Sequence, residues 1–304
     1  MNASNPIHSF EQLVKRIHPE AKLIRHWPLT GGVSAQTTAI EIQHADGKFQ
    51  KMVVRQHGEA DLKHNSNVAQ HEYQLLRQLH DVGLAVPDAY DSSGDIFSSP
   101  HVVIEFIEGG TVFNPVDLDD YLKQCATHLA TIHQVDVESL DLGFLSTQTE
   151  SYAKKIQAQS DLLDESINEG QVREVLSETW PWPQHNPMGL LHGDFWPGNL
   201  LWENQKLVGV IDWEDAHLGD PLIDFAISRV EIALAFGLEA LALFTHHYQL
   251  LMQLDTRNLS YWDLFAVLRY PYKLSEWTED ASTEKRWRQR INKFVDNAVL
   301  NLSV

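Results

Sequence analysis

Hydrophobic and polar positions change rhythm about a third of the way along this 304-residue chain. Before Gly109-Gly110 the apolar residues come in short runs rich in β-branched side chains. Ala39 to Gln43 and Lys51 to Gln56 are two such runs, and Ala45-Asp46-Gly47 between them supplies turn chemistry, so the pair predicts a hairpin. Just upstream, Leu29-Thr30-Gly31-Gly32-Val33-Ser34 is small and permissive enough to form a tight loop between two strands. Gln70 to Val82 places Tyr73, Leu75, Leu76 and Leu79 on one broad helical face, with Gly83 as its stop. After Pro87 the chain is extended again, His101 to Ile107 reads as a strand, and Glu108-Gly109-Gly110 ends it.

From Pro115 onward the spacing becomes helical. Asp117 or Asp119 opens a run reaching His133, and further helices are predicted at Glu150 to Asn168 and Gln171 to Trp180. Trp180-Pro181-Trp182-Pro183 is a stop. Leu200 to Trp202 and Leu207 to Asp212 flank the polar Glu203 to Lys206 and read as a second hairpin. The remainder predicts helices at Leu222 to Phe236, Leu238 to Leu254, Tyr261 to Trp277 and Thr283 to Leu302. No internal repeat or low-complexity segment interrupts the pattern. It describes an α+β protein of two lobes, β-rich over residues 1–108 and mainly helical over 109–304.

Charge and composition narrow the function. Acidic residues outnumber basic ones 42 to 23, a net charge of -19, which repels polyanions and makes nucleic acid a poor partner. The longest apolar stretch, Val230 to Phe244, is broken by Glu231 and Glu239 and is too short for a membrane span. Met1 to Ile7 has no basic region followed by an apolar core, so no signal peptide is expected, and a lone Cys125 excludes an internal disulfide framework. A cytoplasmic location is the expectation.

The densest candidate chemistry is His192-Gly193-Asp194-Phe195-Trp196-Pro197-Gly198-Asn199, a polar loop anchored by Leu190-Leu191 and Leu200-Leu201. A second acidic group, Asp212-Trp213-Glu214-Asp215, ends the hairpin that follows. A short hairpin returns the chain near its start, so Asp194, Asn199 and Asp212 are expected to converge. Oxygen donors in such a set suit Mg²⁺, and a remaining carboxylate can orient or deprotonate a hydroxyl. Any one of these residues alone would be an ordinary turn or capping residue. His192, Asp194, Asp212 and His217 also allow a metallohydrolase reading, although no two histidines lie on one helix face at ligand spacing. Of the aromatics, Trp196, Trp202, Trp213, Trp262, Tyr270, Tyr272 and Trp277 fit a core better than a cation cage.

These residues resemble the aminoglycoside phosphotransferase and choline kinase family, small-molecule kinases of protein-kinase-like fold. The resemblance runs from about Leu29 to Phe225. It implies that Asp194 is the catalytic base, that Asn199 and Asp212 hold Mg²⁺ on the phosphates of ATP or GTP, and that His192 fixes the loop. Gly31, Gly32 and Ser34 then lie at the phosphates, Arg55 stands where kinases place a phosphate-binding lysine, and Glu72 is its helix-borne partner. Backbone groups of Glu105 and Ile107 would meet the base at a hinge. Asp220 is expected to bond the backbone amides of the catalytic loop, with Asp224 as a further support. Gly193 replaces the arginine that protein kinases carry before this aspartate, a departure pointing away from protein substrates. Residues 1–108 would bind nucleotide, and residues 109–304 a polar small-molecule acceptor, the acidic net charge suiting a cationic one. A catalytically silent nucleotide-binding regulator of the same fold is the alternative.

Overall fold

The computed structural model describes residues 6–29, 35–94, 96–147, 149–158, 162–278 and 280–302. The chain has a two-lobed α+β architecture and divides into two compact units. One runs to Glu108 and also takes in Gly209–Glu214; the other comprises Gly109–Val208 and Asp215–Val304.

The first unit contains α1 (Pro6–Ile17), β1 (Lys22–Pro28), β2 (Ala35–Gln43), β3 (Phe49–His57), α2 (Glu59–His64), α3 (Val68–Asp81), β4 (Ala89–Asp91) and β5 (His101–Glu105). Its five strands form one antiparallel sheet in the order β1-β2-β3-β5-β4. The predicted hairpin is β2–β3, and Gly47 adopts φ 86° in its turn, a conformation glycine enters without steric cost. Side chains alternate across the sheet. Ile40, Ile42, Met52, Val54 and Val103 pack against Phe10, Leu13 and Val14 of α1. Val53, Arg55 and His57 therefore have the opposite parity, and Arg55 meets Glu72 of α3. Helix α1 is not among the predicted elements, although Phe10, Leu13, Val14 and Ile17 follow an i, i+3, i+4, i+7 spacing.

The second unit, with its entry into Gly209–Glu214, contains α4 (Leu118–His133), α5 (Thr149–Gln157), α6 (Glu169–Thr179), β6 (Gly189–Leu191), β7 (Leu200–Glu203), β8 (Lys206–Val210), β9 (His217–Gly219), α7 (Leu222–Phe236), α8 (Leu238–Leu251), α9 (Leu259–Val267), α10 (Leu274–Trp277) and α11 (Ala281–Leu302). Strands β7 and β8 pair, and the left-handed Asn204 (φ 49°) and Gln205 (φ 63°) make the tight turn between them. Helix α4 begins at Asp117, whose side chain accepts from the Asp120 amide at 3.1 Å. The same helix holds Cys125 fully buried, and burial pushes its thiol pKa well up.

Two long predicted helices are broken. Tyr261 to Trp277 divides into α9 and α10 because Pro271 lacks an amide hydrogen and disfavours helical backbone at Tyr270. Glu150 to Asn168 ends as α5 at Gln157, and a 3₁₀ turn at Glu165–Ile167 precedes α6. Asp164 caps that turn by accepting from the Ser166 amide, and Asn168 at φ 57° redirects the chain into α6. No described helix is long and apolar enough to cross a membrane.

Candidate active site

In the second unit, β6 and β9 pair antiparallel, and the segment His192 to Asn199 leaves β6 directly. Gly193 has φ 85°, and a Cβ there would lie 2.4 Å from the carbonyl oxygen of Asp215. Backbone conformation and close approach both exclude a side chain, which gives the glycine-for-arginine departure a physical cause. The loop is held from α7. Buried Asp224 accepts from the His192 amide at 2.5 Å and the Gly193 amide at 2.9 Å. Burial opposes ionisation of Asp224, but His133, bonded to it, and the charges of His192 and His217 outweigh that and lower its pKa.

The expectation for Asp220 is thereby corrected. Its Oδ1 accepts from Asn186 Nδ2 and from the Leu222 amide, both at 3.0 Å, and it bonds no amide of the loop in the described contacts. Lying just ahead of α7, Asp220 caps the helix start, while Asp224 reaches the loop. Burial raises the Asp220 pKa against these two bonds.

Asp194 is brought together with Asn199 and His192. Its amide donates to His192 Nδ1 at 3.2 Å, and Asn199 Nδ2 donates to its carbonyl at 2.9 Å and its Oδ2 at 3.1 Å. Arg269 supplies a cation that the sequence reading missed. One guanidinium nitrogen pairs with Asp194 Oδ1 and the other donates to the Gly193 carbonyl at 3.1 Å. Burial works against the charge on Arg269, but Asp194 and Glu231 hold its pKa above the ordinary value. Glu231, which accepts from the Tyr270 hydroxyl at 2.7 Å, is pushed up to about 7 by burial, with Arg269 opposing. The readable signal was a basic residue in the otherwise apolar run Leu264 to Tyr270, since a cation in such a segment must find a partner.

His217 does not fit the metallohydrolase set. Its Nδ1 contacts the Asp215 carbonyl at 2.8 Å and its Nε2 the Tyr152 hydroxyl, so both ring nitrogens have protein partners. Among the aromatics, Trp213, Trp262 and Tyr270 are buried and Trp202 stacks on Tyr121, as core residues do, whereas Tyr272 and Trp277 are exposed.

In the first unit, Arg55 lies opposite Thr37 in the hairpin. Its Nη1 donates to Glu72 Oε1 at 2.5 Å, and its Nη2 to Asp212 Oδ1 at 2.6 Å and Glu214 Oε2 at 3.1 Å. Burial disfavours the charge, yet the three carboxylates outweigh it and raise the Arg55 pKa. Asp212 adopts φ 70°, left-handed backbone that an aspartate tolerates better than most residues. Its segment is pinned by the Val210 amide donating to the Ala85 carbonyl at 2.7 Å and by Trp213 Nε1 donating to the Val210 carbonyl at 3.0 Å. The Glu105 amide donates to the Asp88 carbonyl at 2.7 Å, so only the carbonyl of Glu105 could face a base. Ile107 packs against Gly209, where a Cβ would fall 2.5 Å from Ile107 Cδ1. Gly31, Gly32 and Ser34 lie outside the described residues.

Comparison with known proteins agrees with this architecture. Human acyl-CoA dehydrogenase family member 11 is 25% identical over 236 residues, 68% of this chain and 30% of that protein, so the chain spans about three tenths of that relative's length. Macrolide 2'-phosphotransferase type I superposes with a TM-score of 0.66 at 19% identity, covering 99% of this chain and 98% of that one. The GDP complex of aminoglycoside 2'-phosphotransferase-IIIa gives 0.67 at 18% identity, with 97% and 99% covered. At these identities the structural likeness concerns the fold. Residues 27–262 match the model of the phosphotransferase enzyme family, and it is to this family that the chain belongs.

Proposed function

We propose that the protein is a small-molecule kinase that transfers the γ-phosphoryl group of ATP or GTP, bound with Mg²⁺, to a hydroxyl of a polar small molecule. The observation that carries this reading is the Asp194 carboxylate. It is partly exposed, at 23% of its side-chain surface, while its loop is fixed by Asp224, Asn199 and Arg269. Phosphoryl transfer demands positioning and charge neutralisation more than covalent chemistry. Asp194 accepts the hydrogen bond of the acceptor hydroxyl and takes its proton as the new O–P bond forms and the bond to the nucleoside diphosphate breaks. Arg269 pairs with the carboxylate and orients it, and His192 braces the turn.

The donor set suits Mg²⁺. Asn199 directs its NH₂ at Asp194, which leaves the amide oxygen to offer a cation, and Asp212 engages Arg55 through one carboxylate oxygen only in the described contacts. Both are hard oxygen donors. By the family resemblance these two residues hold the ion, which neutralises phosphate charge. Gly31, Gly32, Ser34 and Arg55 serve the phosphates, Glu72 orients Arg55, and Glu105 and Ile107 serve the base. Residues 1–108 act as the nucleotide lobe and 109–304 as the acceptor lobe. The net charge of -19 concentrates cationic molecules around the protein, so the acceptor is proposed to carry an amine.

Nucleotide consumption measured against cationic, neutral and anionic alcohols tests the reading, with Asp194→Ala alongside. Turnover of amine-bearing alcohols that Asp194→Ala abolishes is the expected result. Turnover confined to neutral or anionic alcohols would remove the charge assignment but leave the reaction. The engagement of Arg55 by three carboxylates favours the catalytically silent alternative, for which nucleotide binding without turnover of any alcohol is the signature.

A further inference from the structure

We infer that the first unit carries a second cation site, for a divalent transition metal of the Zn²⁺ class, built from His57 Nδ1, Asp61 and Glu214. The ligand atoms of these three residues all lie within 4.8 Å of one another. Nδ1 is 3.7 Å from Asp61 Oδ2 and 3.8 Å from Glu214 Oε2. A tetrahedral ion with bonds of about 2.0–2.2 Å requires ligand separations somewhat above 3 Å, so the two separations from His57 need only a contraction of a few tenths of an ångström.

The cluster is more than a group of acids, because it centres on a buried histidine whose ring nitrogens make no hydrogen bond. His57 is 1% exposed, and neither ring nitrogen makes a hydrogen bond. A buried imidazole in that state is costly and calls for a ligand. Its two sides are also distinct. Nε2 lies 3.3 Å from Glu72 Oε2, itself buried without a hydrogen bond, which is the carboxylate–histidine relation that fixes the tautomer of a metal-bound imidazole and leaves Nδ1 to the ion. On the Nδ1 side, Asp61 is anchored by accepting from the Gly58 amide at 3.0 Å.

Charge argues the same way. Glu72, Asp212, Glu214 and Asp61 gather around Arg55 and His57, so four carboxylates share one guanidinium and one imidazole. A dication offsets part of this excess. The imidazole selects a transition metal over Mg²⁺, which prefers an all-oxygen shell and retains its waters. Three protein ligands leave a coordination position for water, and the partial exposure of Asp61 and Glu214, at 11% and 16% of their side chains, provides a way in. None of the three ligands belongs to the Asn199 and Asp212 pair assigned to the nucleotide's Mg²⁺.

The test is calorimetric titration of the chelator-stripped full chain with Zn²⁺ in excess Mg²⁺ and without nucleotide. Co²⁺ serves as an absorbance probe. One tight site is expected, with the intense visible bands of low-coordinate Co²⁺, weakened about tenfold or more in His57→Ala and in Asp61→Asn but retained in Asn199→Ala. Asp61→Asn keeps an oxygen for the Gly58 amide, so it guards against a variant that simply misfolds. No Zn²⁺ binding by the wild type would overturn the inference. So would affinity unchanged in a folded Asp61→Asn, which would place the ion on surface histidines, or affinity lost in Asn199→Ala.

Discussion

Arg55 is one guanidinium facing three carboxylates, whereas Asp194 is one carboxylate facing a guanidinium and a carboxamide. The first arrangement sits on a strand and a helix of a β-sheet unit. The second sits on a loop whose turn is held by hydrogen bonds from its backbone amides to Asp224. Around Arg55 negative charge is in excess, and the ring nitrogens of the histidine beside it make no hydrogen bond, an arrangement suited to binding a cation. Around Asp194 the charges balance, and the geometry is set before any substrate arrives. The proposed reaction would use both kinds of site: a charged receptacle for cations and phosphate, and a carboxylate that does not move.

The sharpest way to break the comparison is Asp194→Ala, which removes the proposed base and leaves its supports intact. A loss in kcat of about 10²–10⁴-fold is expected, with nucleotide affinity little changed, read by steady-state kinetics and nucleotide titration. A comparable fall in nucleotide affinity would mean that the loop is not independent of the phosphate site.

Arg55→Ala acts on stability instead. It strands Glu72, whose side chain is 1% exposed, and a loss of about 3–5 kcal/mol in urea unfolding is expected. Arg55→Met combined with Glu72→Leu should restore much of it, because the burial of unpaired charge is then gone.

The Glu231 carboxyl, raised to about 7, tests the balance near Asp194. Between the ordinary glutamate range and pH 7 the unfolded chain is ionised at this residue while the folded chain keeps its proton. The contribution of Glu231 to stability is therefore fully present at acid pH and lost as pH rises towards 7. Glu231→Gln removes that dependence, and the variant should gain on the wild type by at most about 3 kcal/mol across the interval, measured as unfolding free energy against pH. A flat difference would show that Arg269 holds Glu231 ionised throughout.

Gly193→Ala adds the displacement of the Asp215 carbonyl to the about 1–2 kcal/mol cost of left-handed backbone. Its kcat should fall more than its stability, since the shift is passed to the neighbouring Asp194.

How much of this could be read from the chain depended on whether a partner lay close in sequence. The β2–β3 hairpin was legible from its alternation and its Asp-Gly turn, and α7 from its apolar spacing between Pro221 and Gly237. Asp194 and Asn199 were legible because they stand five positions apart across a Pro-Gly turn, and the structure joins them by a 3.1 Å bond. Arg269 stands 75 positions from Asp194, and no local pattern records such a pairing. The exchange of roles between Asp220 and Asp224 had a similar origin. Asp220 lies ahead of α7 and Asp224 within its first turn, and which of the two acids faces the loop depends on how α7 packs. His57 was passed over because a histidine at a strand end looks ordinary until Glu72, Asp61 and Glu214 are placed around it.

Cys125 has a practical consequence. It is the only thiol in the chain, it is fully buried in α4, and its raised pKa leaves almost no thiolate to react. Towards alkylating reagents the native protein behaves as if it had no cysteine. A fluorophore can then be placed through one cysteine introduced on the surface, with the natural residue left in position. In the unaltered chain, the slow rate of modification becomes a clock for transient opening of the helical unit, and ligands that tighten that unit should slow the clock.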